Sequence, residues 1–443
     1  MSPLLDKEVF SVRQIKENPA LRFTNGFIGL LVLVLPLYTG LQDYRFIAKN
    51  KFIALCTLTV IYLAGCAILC LRTHKLPHLT TKPKAALIIL GCYVAAVVVS
   101  TVVSPYRGKA IIGASRYEGL ISILLYVLIF FAVYLFGKPK SWMMYAMGLS
   151  SLVVSFVALM QFSGRNPLSL YPNGLNYYDA GSAYEGAYIS TIGNADVAGA
   201  WLALSIPILL FYIVLAKKDM WRFFLILPLG MSILTWYRLD VTAPILGVTV
   251  GCFAAIPFLM KNTRKKITLL LIYAILFMAA IAALYFVDFK VGMLYEAHAI
   301  LHGRVADNFG ASRIWVWQET WKIAKDHLLF GTGPDVLALY GAEHVAYNSM
   351  LDINVVVTID VAHNLLLNIL AQHGILALIS CIAFSVFVFI DWVKKAPYNV
   401  TAAVCGAGAM CYFIQAMFSM ESCAVTPILM IALALMLQER AQG

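Results

Sequence analysis

Charge is what this chain has least of. Only 12% of its 443 residues are Asp, Glu, Lys or Arg, while 61% are hydrophobic. A soluble domain is usually about 25% charged, so the deficit excludes an ordinary soluble protein and implies an all-α polytopic membrane protein. Acids are the scarcer sign, 22 against 33 Lys and Arg, and the only two within two positions of each other are Asp6 and Glu8. A divalent-metal site usually needs several carboxylates, so no metal and no cofactor are expected. The nine cysteines include no C-x-x-C pair. Those such as Cys56, Cys66, Cys70, Cys92 and Cys252 lie in or beside apolar runs and read as small hydrophobes, not as a disulfide framework or a zinc site. No cleavable signal is expected: the first 23 residues are polar, and no small-residue cleavage site follows the first apolar run. No internal repeat is visible. The net charge of +11 does not indicate nucleic acid, because most Lys and Arg flank apolar runs, as membrane orientation requires.

What remains is a series of apolar runs near the length that crosses the hydrocarbon core, about 20 residues. They span 24–41, 52–71, 85–104, 118–137, 142–163, 194–216, 222–237, 241–260, 267–287, 374–392, 400–419 and 423–438, which predicts about twelve transmembrane helices. The stretch WYRLD (Trp236 to Asp240) admits either a tight hairpin between two helices or a break within one long helix. If the N-terminal tail 1–23 is cytoplasmic, inside segments hold 20 Lys and Arg and outside segments 13, five of them in one long loop. Long loops count little toward orientation, so both termini, 1–23 and 439–443, are expected inside. Two outside segments exceed turn length, 164–193 and 288–373. Loops beyond about 15 residues are usually functional or disordered. Segment 288–373 carries tryptophans and a helical pattern, so a large, partly helical extracytoplasmic loop is expected between helices 1–9 (24–287) and 10–12 (374–438).

Against this apolar background each polar residue at a span end needs a reason. In GASRIWVWQETWKIAKDHLLFGTGPDVL, Ile314, Trp317, Trp321, Ala324 and Leu328 recur at helical spacing. Ser312 is a candidate N-cap and Gly331 a candidate C-cap. Arg313 then stands in the first turn, where the helix dipole disfavours positive charge. An anion docked there would account for it, as would a lipid-phosphate anchor on an interfacial helix. In DVAHNLLLNILAQHG, Asp360 is a candidate cap, and Asn364, Asn368 and Gln372 form one polar stripe. His363 falls in the first turn, where the dipole keeps the imidazole neutral and able to accept a hydroxyl proton. A hydrogen-bonded interfacial histidine is the alternative. Arg238 and Asp240 interrupt lipid-grade sequence, either as a functional pair or as snorkelling residues at a surface turn. Arg116 and Glu118 stand at the outer end of the fourth run, and Gly193, Asn194 and Asp196 at the outer start of the sixth, where helix-end chemistry alone could explain them.

The predicted topology puts Arg116, Asn194, Arg238, Arg313 and His363 on the outer side from five separate segments. Arginines around one neutral histidine suit a diphosphate-bearing substrate attacked by an alcohol. The arginines would stabilise the departing diphosphate, and the histidine would orient or deprotonate the acceptor.

At this point the sequence resembles the O-antigen ligase family, which includes related bacterial polysaccharide polymerases. The blocks that carry the likeness are RYEGL, TIGNADVAGAWLALSIPI, SRIWVWQETWKIAKDHLLFGTGPD and AHNLLLNILAQHGILALI, in that order, from about Gly113 to Ile379. The resemblance implies a C-type glycosyltransferase-like fold and a polyprenyl-diphosphate-linked glycan donor. It also implies a glycan, lipid or protein acceptor and metal-free chemistry on the outer face of the bacterial cytoplasmic membrane. It gives His363 the place of an essential histidine and Arg313 that of an essential arginine of the outer loop. A second essential arginine normally lies in a Ser-Arg-Gly-like block. Here YRLDVTAPILG offers Arg238 without that Ser and Gly, and a register anchored on APILG would put Thr242 there instead. Arg238 is taken as the counterpart. Arg116, Glu118, Asn194, Asn364 and Asp335 are then expected to bind the diphosphate or glycan. A capsular or cell-surface polysaccharide polymerase would share this constellation. A transporter of lipid-linked glycan would place its polar groups at the bilayer midplane in matching repeats, a pattern the sequence does not show. A non-catalytic glycan-binding relative is the third reading, suggested by the altered block around Arg238.

Overall fold

The computed structural model describes residues 19–40, 44–73, 81–171, 189–290, 292–307, 309–310, 312–341, 343–348 and 353–438. Most of tail 1–23, including Asp6 and Glu8, the 172–188 part of the first long segment, and the C-terminal residues 439–443 lie outside the described residues.

The chain forms a helical bundle. Its helices are α1 (Pro19–Leu37), α2 (Ile47–Thr73), α3 (Thr81–Val103), the short α4 (Arg107–Ile112), α5 (Leu120–Phe136), α6 (Ser141–Phe162), α7 (Ala195–Leu215), α8 (Ile226–Arg238), α9 (Thr242–Leu259) and α10 (Thr263–Phe286). The long segment between α10 and the last three helices contributes α11 (Gly292–Leu301), α12 (Arg313–Asp326), an antiparallel ribbon of β1 (Glu343–Asn348) and β2 (Ile353–Thr358), and α13 (Leu365–His373). The chain then closes with α14 (Ile375–Lys395), α15 (Val400–Ala416) and α16 (Thr426–Leu437). Among the described residues, nine helices are long and apolar enough to cross a membrane, and the shorter apolar helices α5, α15 and α16 fall on the other three predicted runs. The protein is a polytopic membrane protein.

Asparagine starts several of these helices. The side chains of Asn194, Asn262, Asn364 and Asn399 each accept a hydrogen bond from the backbone N–H three residues on, capping α7, α10, α13 and α15. Such a cap satisfies a backbone donor that has no partner within the helix. The break at WYRLD is a tight turn. Asp240 takes a left-handed backbone (φ 52), and the Trp236 indole donates to the Pro244 carbonyl at 3.0 Å. Along one straight helix those residues would stand about 12 Å apart, so the chain reverses between α8 and α9.

The core is built around α7, which packs against α6, α8, α9 and α15. The α9–α15 crossing depends on Gly247 and Gly251: a Cβ on Gly251 would stand 2.7 Å from the Cys411 Cα. Small residues four apart let membrane helices approach this closely. The Cys252 and Cys411 thiols lie 3.8 Å apart at the same crossing, hydrogen-bonded and not joined by a disulfide.

Contacts sort the helix ends into two faces. On one, the Gln438 amide donates to the Val133 and Gly137 carbonyls, and Asp219 accepts from the Tyr145 and Tyr212 hydroxyls. On the other, the loops before α5 and α7 meet the loop 327–336, the segment before α13 and the α15–α16 loop. The second face holds the candidate residues.

Candidate functional site

The centre of this face is a carboxylate the sequence analysis mentioned but did not single out. Asp196 stands in the first turn of α7, two residues past the Asn194 cap. One of its oxygens lies 3.5 Å from Nη2 of Arg313, the other 3.6 Å from Nδ1 of His363. All three side chains are largely buried. Three segments far apart in sequence thus meet at one acid.

Each partner is held in place. Arg313 is the first residue of α12, as expected, and its charge there is unfavourable to the helix dipole. The structure offsets this with acceptors: Nε donates to the Phe418 carbonyl at 2.9 Å, Nη1 to Gly310 at 3.1 Å, and Asp196 supplies the anion. Ser312 holds the N-cap position in a left-handed conformation (φ 64) without a side-chain cap bond. The helix ends at Asp326 with His327 as C-cap, so Gly331 is not its cap. Gly331 instead turns at φ 72 against the Gln372 backbone, where any Cβ would clash, and the next residues donate to the carbonyls of Ala371 and Gln372 at the end of α13.

His363 precedes the helix instead of lying in its first turn. Asn364 is the N-cap of α13, so the expectation that Asp360 caps it is corrected. His363 adopts a left-handed backbone (φ 47), and its Nδ1 is buried with no hydrogen-bond partner. Burial, ahead of any charge, pushes its pKa below the ordinary 6.5; Arg313 and Arg116 lower it further, and Asp196 and Asp360 oppose them. Neutrality therefore comes first from desolvation, not from the helix dipole the sequence suggested.

Asp360 holds Arg116. Its oxygens accept from Nε at 2.7 Å and Nη2 at 3.2 Å, a two-pronged pair. This pair ties the His363 segment to the loop before α5. That loop wraps Asp335, whose carboxylate accepts from the backbone N–H groups of Ser115, Arg116 and Glu118 at 2.8 to 3.3 Å. Gly113 (φ 104) makes the wrap possible, since a Cβ there would meet the Asp335 carboxylate at 2.3 Å. Asp335 is itself left-handed (φ 49) and 3% exposed. Glu118 accepts from the Tyr126 hydroxyl at 2.7 Å. Arg116 lines a cavity of about 110 Å³ whose wall is mostly apolar and includes the polar Glu118, Asp360, Gln372 and Glu421. The expected stripe on α13 is present: Gln372 donates to Asn368 at 2.7 Å, and both are buried.

The eight residues singled out from the sequence therefore divide. His363 and Arg313 converge on Asp196, and Arg116 joins them through Asp360. Glu118 and Asp335 line that cavity. Asn194 and Asn364 cap helices. Arg238 stands apart: exposed at the end of α8, its guanidinium lies 6.0 Å from the Phe162 ring centre, and among the described residues it makes no hydrogen bond or ion pair with the others. Thr242 is the first residue of α9. Five of the non-glycine residues with positive φ (Tyr117, Asp240, Ser312, Asp335 and His363) are candidate residues or lie within two positions of one. Backbone strain of this kind gathers at functional sites. Among the described residues, no group of three or more His, Cys, Asp or Glu is placed to hold a metal ion.

A helical membrane bundle with a histidine and arginines gathered at one end by partly buried acids defines the class: a membrane protein with a polar site at one face. Residues 232–382, from α8 into α14, match the family model described as O-Antigen ligase. The match, with the apolar helices, supports a ligase- or polymerase-like membrane protein. The matched segment contains Arg238, Arg313, Asp335, Asp360 and His363; Arg116 and Asp196 lie outside it. No curated protein matches the chain.

Proposed function

We propose that the protein transfers a glycan from a polyprenyl-diphosphate-linked donor to an acceptor hydroxyl at the outer face of the bacterial cytoplasmic membrane, without a metal. The reading has twelve spans, both termini cytoplasmic, and a C-type glycosyltransferase-like architecture. The observation that carries it is the meeting of Arg313 and His363, both inside the matched segment, at one partly buried carboxylate.

The acceptor oxygen attacks the anomeric carbon of the donor sugar while His363 takes its proton. The bond between that carbon and the phosphate oxygen breaks, and its electron pair leaves with the polyprenyl diphosphate. Arg313 faces the charge that develops on the leaving group, where a fixed guanidinium in a low-dielectric site is most effective. Arg238, unpaired among the described residues, anchors the diphosphate from the α8–α9 turn. Arg116 is already engaged on both prongs by Asp360, so its part is to hold the His363 segment and the cavity wall.

The test is incubation of the purified protein in lipid nanodiscs with a polyprenyl-diphosphate oligosaccharide and candidate acceptors, with and without excess chelator. Expected is a glycan product whose rate the chelator leaves unchanged. One transferred unit identifies a ligase and a ladder of lengths a polymerase. A large loss of rate in chelator removes metal independence. Donor uptake into sealed vesicles with no product overturns the reading in favour of transport.

A further inference from the structure

We propose that Asp196 is a positioning residue of this site: from the first turn of α7 it fixes the ring of His363 with Nδ1–H toward α7 and Nε2 toward the acceptor, and it holds Arg313 beside that ring. The inference rests on the transfer reading. It reaches outside the matched segment, to a helix that supplies no reacting group.

The geometry carries it. The two oxygens of Asp196 divide between two partners, Oδ1 at 3.5 Å from Arg313 Nη2 and Oδ2 at 3.6 Å from His363 Nδ1. That nitrogen is buried and has no other partner, so only the carboxylate can receive a proton it carries. Which nitrogen of a histidine is protonated is set by the bond the other makes. A proton on Nδ1 leaves the Nε2 lone pair free for the acceptor hydroxyl. The 3.6 Å gap is long for a hydrogen bond; separations of this kind tighten when substrate binds. The backbone is arranged to hold the acid still. Asn194 caps α7 two residues earlier by accepting from Val197 at 3.1 Å, and the two residues after the acid, Val197 and Ala198, are buried. The imidazole cannot easily swing away, because its own backbone is left-handed (φ 47) and the next residue is committed to capping α13.

The proton accounting follows. As the acceptor O–H bond breaks, its proton passes to Nε2 and the ring becomes an imidazolium. Asp196 faces that charge and stabilises it, the role an orienting acid plays beside other catalytic histidines. The proton then leaves to water or to the released diphosphate. The charged groups that act on the ring are Asp196 from α7, Arg313 from α12, Arg116 from the loop before α5, and Asp360 from its own segment. Of these, Asp196 is the largest influence favouring the protonated ring and Arg313 the largest charge opposing it.

The experiment uses the full chain in nanodiscs with Asp196→Asn and Asp196→Glu. The expected result for Asp196→Asn is a fall in kcat of about 10²–10⁴-fold with the donor KM within about twofold of wild type. The acid limb of the pH–rate profile should move to lower pH, because the lost carboxylate favoured the imidazolium. Asp196→Glu should recover part of kcat. Two readouts need no turnover: the pH dependence of diethyl pyrocarbonate modification at His363, read by mass spectrometry, and the tautomer of His363 from histidine 15N shifts of the wild-type protein, assigned with His363→Gln. A merely structural clip would lower thermal stability and leave both His363 readouts unmoved. The proposal is overturned by wild-type kcat in Asp196→Asn, by identical His363 titration in the two proteins, or by an Nε2–H tautomer in the wild type. The tautomer decides even if the Asn variant fails to fold. Should the wild type form no product while His363 still titrates with Asp196, the transfer reading fails and the pairing stands.

Discussion

Helices α7 and α10 are alike in composition: each is a single apolar stretch long enough to cross a membrane. Yet 83% of α7's apolar stretch is buried inside the protein and none of α10's is. The difference lies in what flanks and interrupts the apolar residues. Helix α7 opens with Gly-Asn-Ala-Asp and carries Gly199, Ser205 and Pro207 where other helices press on it. Helix α10 is apolar on every side after its basic first turn and packs only lightly, against α9 and α11. Hydrophobicity qualifies a helix for the membrane, but small and polar positions decide whether its neighbours are helices or lipid. The tip of the buried helix is also where the site is built.

The contrast can be tested from its largest consequence downward. His363→Ala should reduce transfer by about 10²–10⁴-fold while donor binding persists. His363→Asn, which tolerates the left-handed backbone better than Ala, should do the same. Full turnover in either would remove the histidine from the chemistry and leave the tip of α7 structural. Arg313→Lys comes next. An ammonium lacks the planar fork that now reaches Phe418, Gly310 and Asp196 together, so kcat should drop roughly tenfold or more; an unchanged kcat would mean only the charge matters there. The pH–rate profile is a third check. His363 must be neutral to take a proton and burial lowers its pKa, so kcat/KM should rise with pH through a limb below 6.5, the ordinary value. A limb above that value would mean the carboxylates outweigh burial.

The smallest effects compare the two helices directly. A Cβ on Gly199 would meet the Pro244 ring at 2.7 Å, so Gly199→Leu on α7 should cost about 1–3 kcal/mol or misplace Asp196. Ala280→Leu, on the exposed α10, should stay within about 0.5 kcal/mol. Thermal unfolding in nanodiscs measures both. Equal losses would show that α10 has a packed partner in the membrane.

Much of the bundle was legible because the apolar runs and the punctuating loops are local features. The predicted run 194–216 is observed as Ala195–Leu215, and 267–287 as Thr263–Phe286. Misreadings arose where one residue type serves two ends. Asp360 is a good N-cap by type, but Arg116, far away in sequence, takes it, and Asn364 does the capping. Asn194 and Asn364, expected to bind substrate, also cap α7 and α13. Asp196 carries no local mark of its role, because an acid in a first helical turn is ordinary dipole chemistry. Nothing local indicates that an arginine and a histidine more than a hundred residues away share its two oxygens. Asp335, expected as a binding residue, fills a ring of N–H groups that only the folded loop 113–119 presents.

The sequence by itself determined the membrane class, the places where helices start and stop, and the small set of polar residues that lipid would not tolerate without a reason, because hydrophobic run length, caps and turn residues act within a few positions of one another. Only the tertiary structure decided which of those residues meet. Burial of His363, the division of Asp196 between two partners and the engagement of Arg116 by Asp360 all depend on helix ends brought together through packing, and packing is set by the whole bundle at once.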